Sequence, residues 1–244
     1  MRGDRPRQGQ GATEVKRALV TWVLALGAAC ATLPAAAQVG PSAAEAAAYT
    51  GLHAAAHKGD VDKIRRLAAA KADLNARDGN GRTPLHVATF ARQRDAIQAL
   101  VQAGAAIDLL ENDRYDAVTI ASVANDEETL RLLLSLGASA RQVTSRYDGT
   151  ALIAAAHLGH AGVVEQLVRA GAPLDHVNNL HWTAAIEAVV LGDGGPRHQA
   201  TLKTLVEAGA NLQLKDRNGN TPLQLARSRG YTEMVRLLEA GKAR

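Results

Sequence analysis

The chain has 244 residues and a formal net charge of +4, from 28 Lys+Arg against 24 Asp+Glu; it is 47% hydrophobic but only 3% aromatic. One cysteine, Cys30, excludes a disulfide framework and a Cys-based zinc module. Alanine supplies much of the hydrophobic fraction, in runs such as 46–48, 54–56 and 154–156. That suits closely packed short helices and poorly suits a β-sandwich, whose strands need β-branched and aromatic residues.

The N-terminal segment reads as an export signal. Arg2, Arg5, Arg7, Lys16 and Arg17 precede an apolar stretch over residues 18–33, followed by Pro34, Ala35, Ala36 and Ala37. Positive region, apolar region and small-x-small site form a secretory signal, with cleavage expected after Ala37. The apolar run is shorter than the roughly 20 residues that span a bilayer, and Pro34 interrupts it, which argues against a membrane anchor. Lipid attachment at Cys30 is the alternative, since Gly27, Ala28 and Ala29 loosely resemble a lipoprotein box. The long polar start also allows translation from near Val15. Without residues 1–37 the chain holds 23 basic and 22 acidic residues and no cysteine, so the basic excess belongs mainly to the leader.

Residues 38–49 read as an N-terminal cap, in which Ser42 and Glu45 have the spacing of a capping box that starts a helix near Ala43. A repeat follows. The string Thr83-Pro84-Leu85-His86-Val87-Ala88 returns as Thr221-Pro222-Leu223-Gln224-Leu225-Ala226, with weaker copies starting at Thr50, Asp116, Thr150 and Thr183. The six starts are spaced by 33, 33, 34, 33 and 38 residues. A second marker, Gly-Ala at 104, 137, 171 and 209, runs in phase, and Asp78-Gly79-Asn80-Gly81 is echoed by Asp216-Arg217-Asn218-Gly219.

Each marker has a physical reading. Thr caps a helix and Pro fits its first position. Small Ala residues let helices approach closely. The stripe Val163, Val164, Leu167, Val168 gives a second helix an apolar face. Glycine after it can take the left-handed conformation that ends a helix, and Asp-x-x-Gly makes a turn. One such unit cannot bury its apolar face alone, so the units must stack.

This pattern resembles the ankyrin repeat over residues 50–244. The resemblance implies an all-α solenoid of six helix-turn-helix units with projecting β-hairpin loops: 50–82, 83–115, 116–149, 150–182, 183–220 and 221–244. Three departures stand out. Lys71 occupies a helix-ending Gly position, Arg114 a turn Gly, and Asp116-Ala117 replaces Thr-Pro. The fifth unit carries extra length around residues 191–199, which reads as a surface loop or as a finger beside a binding face.

No catalytic motif emerges. Gly-x-Ser-x-Gly, His-Glu-x-x-His and a phosphate-binding loop are all missing from the sequence. His53 and His57 have ligand-like spacing, yet His53 and His86 occupy a repeat position to which the resemblance assigns a structural role. His160 reads as the start of a second helix, and His176, His181 and His198 as loop residues. The expectation is no enzyme activity, no cofactor and no metal; the competing class is a metal protein or enzyme using the loop histidines. Near-neutral charge after the leader gives no footing for nucleic acid.

Non-covalent binding of a protein partner is the favoured function, and a monomer is expected. The resemblance places ligands at hairpin tips and on the concave face of the first helices. That selects Arg77, Asn80, Arg82, Asp113, Tyr115, Tyr147, Trp182, Arg217 and Asn218 at the tips. It selects His57, Lys58, Phe90, His157 and Arg229 on the inner face. Trp, Tyr and Arg are the residue types most often found as interface hot spots. An accessory factor for a periplasmic enzyme such as catalase, or an immunity-type inhibitor, are the finer alternatives.

Overall fold

The computed structural model describes residues 38–242; the expected export signal falls outside them. Thirteen helices occupy the described residues. The first, α1 (Ala43–Ala48), starts on the Ser42–Glu45 capping box, with both reciprocal bonds formed. Six helix pairs follow: α2 (Gly51–Lys58) with α3 (Val61–Ala69), α4 (Pro84–Phe90) with α5 (Arg94–Gln102), and α6 (Ala117–Val123) with α7 (Glu127–Ser135). Then come α8 (Ala151–Leu158) with α9 (Ala161–Arg169), α10 (Ala184–Val190) with α11 (Pro196–Glu207), and α12 (Pro222–Ser228) with α13 (Thr232–Lys242).

The inner helices begin where the repeated Thr predicts. Thr83 and Thr221 form full capping boxes with His86 and Gln224, and Pro84 and Pro222 take the first helical turn. In the third unit the Asp116 carboxylate accepts from the Thr119 N–H at 2.7 Å, so Asp replaces Thr without loss of the cap. Inner helices stack on inner helices through alanine. Ala55, Ala88, Ala121, Ala155, Ala188 and Ala226 sit at one register and are all at most 1% exposed. A larger side chain there would overpack the joint, at about 1–3 kcal/mol. Ile64, Ile97, Leu130, Val164 and Leu202 form the matching column of the outer helices, each fully buried. The core is therefore one continuous strip along the stack.

The connections expected as β-hairpins are tight turns. Among the described residues there is no strand, only a Thr144–Gly149 bridge. Each turn is closed by backbone bonds, as from Asp78 N–H to Arg82 O and from Gly81 N–H to Asp78 O, and by a side chain at its start. Asp78 Oδ1 accepts from Asn80 and Arg82, and Asp216 Oδ1 does the same for Asn218 and Asn220. Successive turns are tied by single backbone bonds, Asn112 N–H to Asn80 O, Ser145 N–H to Arg114 O and Asn179 N–H to Tyr147 O. Side-chain bonds add to these, and the tips keep register without making a sheet.

Lys71 ends α3 with φ 62°, in the left-handed region where other units place glycine. Such a conformation costs an L-residue about 1–2 kcal/mol, partly offset by the greater freedom of unfolded glycine. Lys71→Gly is therefore expected to stabilise the protein by about 0.5–1 kcal/mol in urea denaturation. An unchanged midpoint would show that the strain is relieved elsewhere.

The extra length of the fifth unit is not a free finger. Its loop ends at Pro196, and the remaining residues lengthen α11 to 12 residues, against 9 for α5, α7 and α9. His198, expected in a loop, is instead the third residue of α11 and is 5% exposed. Its ring bridges Asp193 Oδ1 and the His157 carbonyl, both at 2.9 Å. Tyr231 donates to the Gly192 carbonyl at 3.1 Å. Gly194 sits at φ +71° against the Tyr231 ring, where a Cβ would meet it at 2.5 Å. Close packing on the next unit explains the glycines.

Candidate partner-binding surface

The turn tips and the ends of the inner helices form the surface on which the predicted residues gather. The structure sorts them into two groups. Arg82 is the clear correction: expected at an exposed tip, it is only 3% exposed. Its Nε donates to Asp78 Oδ2 at 2.7 Å and its Nη2 to Glu45 of α1. Folding of α1 over the first turn buries it. Tyr49 donates to the same Asp78 oxygen at 2.7 Å, and Asn80 donates to Glu45. The cluster locks the cap to the stack. Burial pushes the Asp78 carboxyl up, but bonds from Tyr49 and Arg82 outweigh it and leave it below its ordinary range.

Several others are partly engaged. Arg77 is exposed but its guanidinium spans two turns, donating to the Gly81 and Leu110 carbonyls at 2.8 Å each. Asp113 pairs with Arg146 of the next turn at 2.8 Å, and Arg114 pairs with Asp148 at 2.8 Å. Phe90 is half-buried, its ring against Gly40. Tyr115 is half-buried, and burial pushes its hydroxyl up. His57 is half-buried near the Tyr49 ring, and Lys58 is exposed.

Apart from Val39 in the cap, at 78% exposed, the most open apolar groups lie in units three to five. Tyr147 is 43% exposed and Leu191 42% exposed. Trp182 is half-buried, packed on the core at one edge. Trp182, Arg217, Asn218 and Arg229 are brought together around one open cleft of about 400 Å³, joined by Leu180, Val190 and Leu225. Leu180, Val190 and Leu225 were not singled out from the sequence. Their side chains are ordinary helix and turn apolars, and only stacking of the units brings them together around the cleft.

Behind this surface lies a buried acid. Glu187 of α10 is 4% exposed, and burial pushes its carboxyl up to about 7. Oε1 accepts from Asn178 Nδ2 at 3.0 Å, while Oε2 is buried without a hydrogen-bond partner. His157 Nδ1 approaches Oε2 at 3.5 Å, too far for a good hydrogen bond. Burial also lowers His157, and the nearby His198 adds to this. Both groups are therefore driven toward their neutral forms, which disfavours an ion pair between them.

The histidines serve the joints. His53 Nε2 donates to the Arg82 carbonyl and His86 Nε2 to the Leu109 carbonyl, both at 2.9 Å. His86 Nδ1 accepts from the Thr83 N–H, which fixes the tautomer, and burial lowers this ring to about 4. His160 and His176 contact the Ser122 and Asp148 carbonyls in the neighbouring units. Among the described residues no three His, Cys, Asp or Glu side chains are placed to hold a metal. Among them, too, no helix is long and apolar enough to cross a membrane.

Comparison with known proteins decides the family. A family profile described as ankyrin repeats in many copies matches residues 52–101 and 196–239, and one described as ankyrin repeats in three copies matches 118–216. The chain belongs to the ankyrin-repeat family. An ankyrin repeat domain from Acinetobacter baumannii AYE is 41% identical, with a TM-score of 0.74, over 78% of this chain and 97% of that one. The ankyrin repeat protein EF0377 is 32% identical, with a TM-score of 0.72, over 78% of this chain and 98% of its own. Among curated proteins, the ankyrin repeat protein YahD of Escherichia coli (strain K12) is 40% identical over 100 residues, 41% of this chain. The match spans only 50% of YahD. The matched profiles describe repeats that serve as interaction modules, and none is a catalytic domain.

Proposed function

We propose that this ankyrin-repeat chain is an exported, non-enzymatic module that binds a protein partner through its turn tips and concave inner face. The frame residues, the capping Thr83, Thr150, Thr183 and Thr221, the stacked Ala and the outer Ile/Leu/Val column, are consumed in the core. Apart from Val39 in the cap, the exposed large apolar side chains are Val143, Tyr147, Val177 and Leu191, all at or beside the turns and the inner-helix end of units three to five. That observation carries the reading, because clustered aromatic and Arg side chains are the usual anchors of an interface.

Tyr147→Ala is the cleanest test, since this side chain is 43% exposed and sits in no core column. Its melting temperature should stay within about 2 °C of the parent, while partner capture from the native compartment weakens by roughly tenfold or more. Unchanged capture by Tyr147→Ala, Trp182→Ala and Arg217→Ala alike would sink the proposal. Export is tested separately: the mature protein should begin at Gln38. An intact leader on the functional protein, or a lipid on Cys30, would redirect that part.

A further inference from the structure

The cleft between the fifth and sixth units differs from the other joints. Its apolar lining is made by Leu180, Trp182, Val190 and Leu225. The next joint toward the N-terminus carries His157 and Glu187 in the registers of Val190 and Leu225. Two arginines, Arg217 and Arg229, line the cleft as well. Each touches only a backbone carbonyl, Arg217 that of Asn179 and Arg229 that of Val190 at 3.5 Å. Among the described residues neither makes an ion pair, whereas Arg114 and Arg146 at other tips are both paired with aspartates. One carboxylate lines the cleft, Asp216, and its Oδ1 is occupied by the N–H groups of its own turn.

We infer that this cleft is the docking site for an acidic peptide segment of the partner, seating one aliphatic or aromatic side chain on Trp182 with its carboxylates against Arg217 and Arg229. The inference rests on the concave face being the binding surface and narrows it to one joint and one chemistry. An apolar anchor gains from leaving water. Arg groups not yet paired can take carboxylates in two-point hydrogen bonds, which a Lys could not do as well. A basic peptide would instead bring its cations against two guanidiniums, with the Asp216 carboxylate as the one acid of the lining to receive them.

A phage-displayed library of random dodecapeptides, selected on the immobilised full chain, tests this. Enriched peptides, remade with a fluorescent label for anisotropy, should be net acidic and carry a large apolar residue. Arg229→Glu and Arg217→Glu should each weaken them by about tenfold or more, and 0.5 M NaCl should weaken them as well. Lys203→Glu, on the exposed outer helix α11, should leave them unchanged. Basic or uncharged winners, an empty selection, or indifference to Arg229→Glu would overturn the assignment. If winners ignore Arg229 but lose affinity with Tyr147→Ala, the cleft is wrong while the wider binding surface stands. If tip substitutions also leave partner capture untouched, both fall together.

Discussion

Replacing Arg82 with alanine is expected to destabilise the protein by about 3 kcal/mol, the scale for removing one partner of a buried ion pair. The side chain is 3% exposed and ties Asp78 to Glu45. Its loss leaves the Asp78 carboxylate with the Tyr49 hydroxyl and turn N–H groups but no countercharge. It also releases α1, which touches the stack through the same cluster. Hydrogen exchange should therefore quicken most over residues 43–49, and the urea midpoint should fall. Arg82→Lys should recover only part, because an ammonium cannot reach both carboxylates with a rigid fork. The same cluster predicts acid sensitivity. Asp78 is held below its ordinary range, so the stability it contributes is present at neutral pH and lost as pH falls through its folded value. A variant as stable as the parent would mean that α1 contributes nothing to the fold.

Glu187→Gln should do the opposite, and only at higher pH. Burial raises the Glu187 carboxyl from 4.5 to about 7, so the folded protein holds this proton more tightly than the unfolded chain. Stability from this group is complete below the unfolded value and is lost as pH rises through about 7. His157 slopes the other way, since its lowered value costs stability as pH falls through the ordinary histidine range. The two trends offset each other in the parent, so the informative quantity is the difference between variant and parent. That difference should be near zero at pH 4.5 and reach about 2–3 kcal/mol in favour of the variant at pH 8. Glutamine keeps an acceptor for Asn178 and carries no charge to bury. A constant difference across that range would contradict the burial of an ionisable carboxyl.

The frame of this fold is legible in the sequence because each frame residue has a local duty. Thr83 caps, Pro84 starts, Ala88 packs and Gly104 ends, and each duty leaves a spaced mark. Even the replacement of Thr by Asp116 was readable, since both side chains present an oxygen at the same distance. The surface was less legible. Arg82 follows a turn glycine and reads as exposed, but Glu45, 37 residues away, folds over it. His198 follows a glycine-rich run and reads as loop, yet it enters a helix and bonds a carbonyl 41 residues back. Glu187 holds the register of the buried Val87, Ile120 and Leu225, so the repeat marks the position as buried, but its bond to Asn178 in the adjoining turn leaves no mark in that spacing. In each case contacts between units decide the outcome, and the spacing within one unit does not encode them. The cleft of units five and six is the same kind of feature, since Trp182 and Arg229 meet only through stacking.

The central claim is that the tips and concave face bind protein while the outer helices do not. Site-specific photo-crosslinking in the native compartment tests it most directly. A benzophenone amino acid replaces Tyr147 at a tip or, in a second strain, the exposed Glu165 of α9. The account predicts one recurrent protein adduct at position 147 and none at 165. Adducts only at 165, or none at either position, would contradict it.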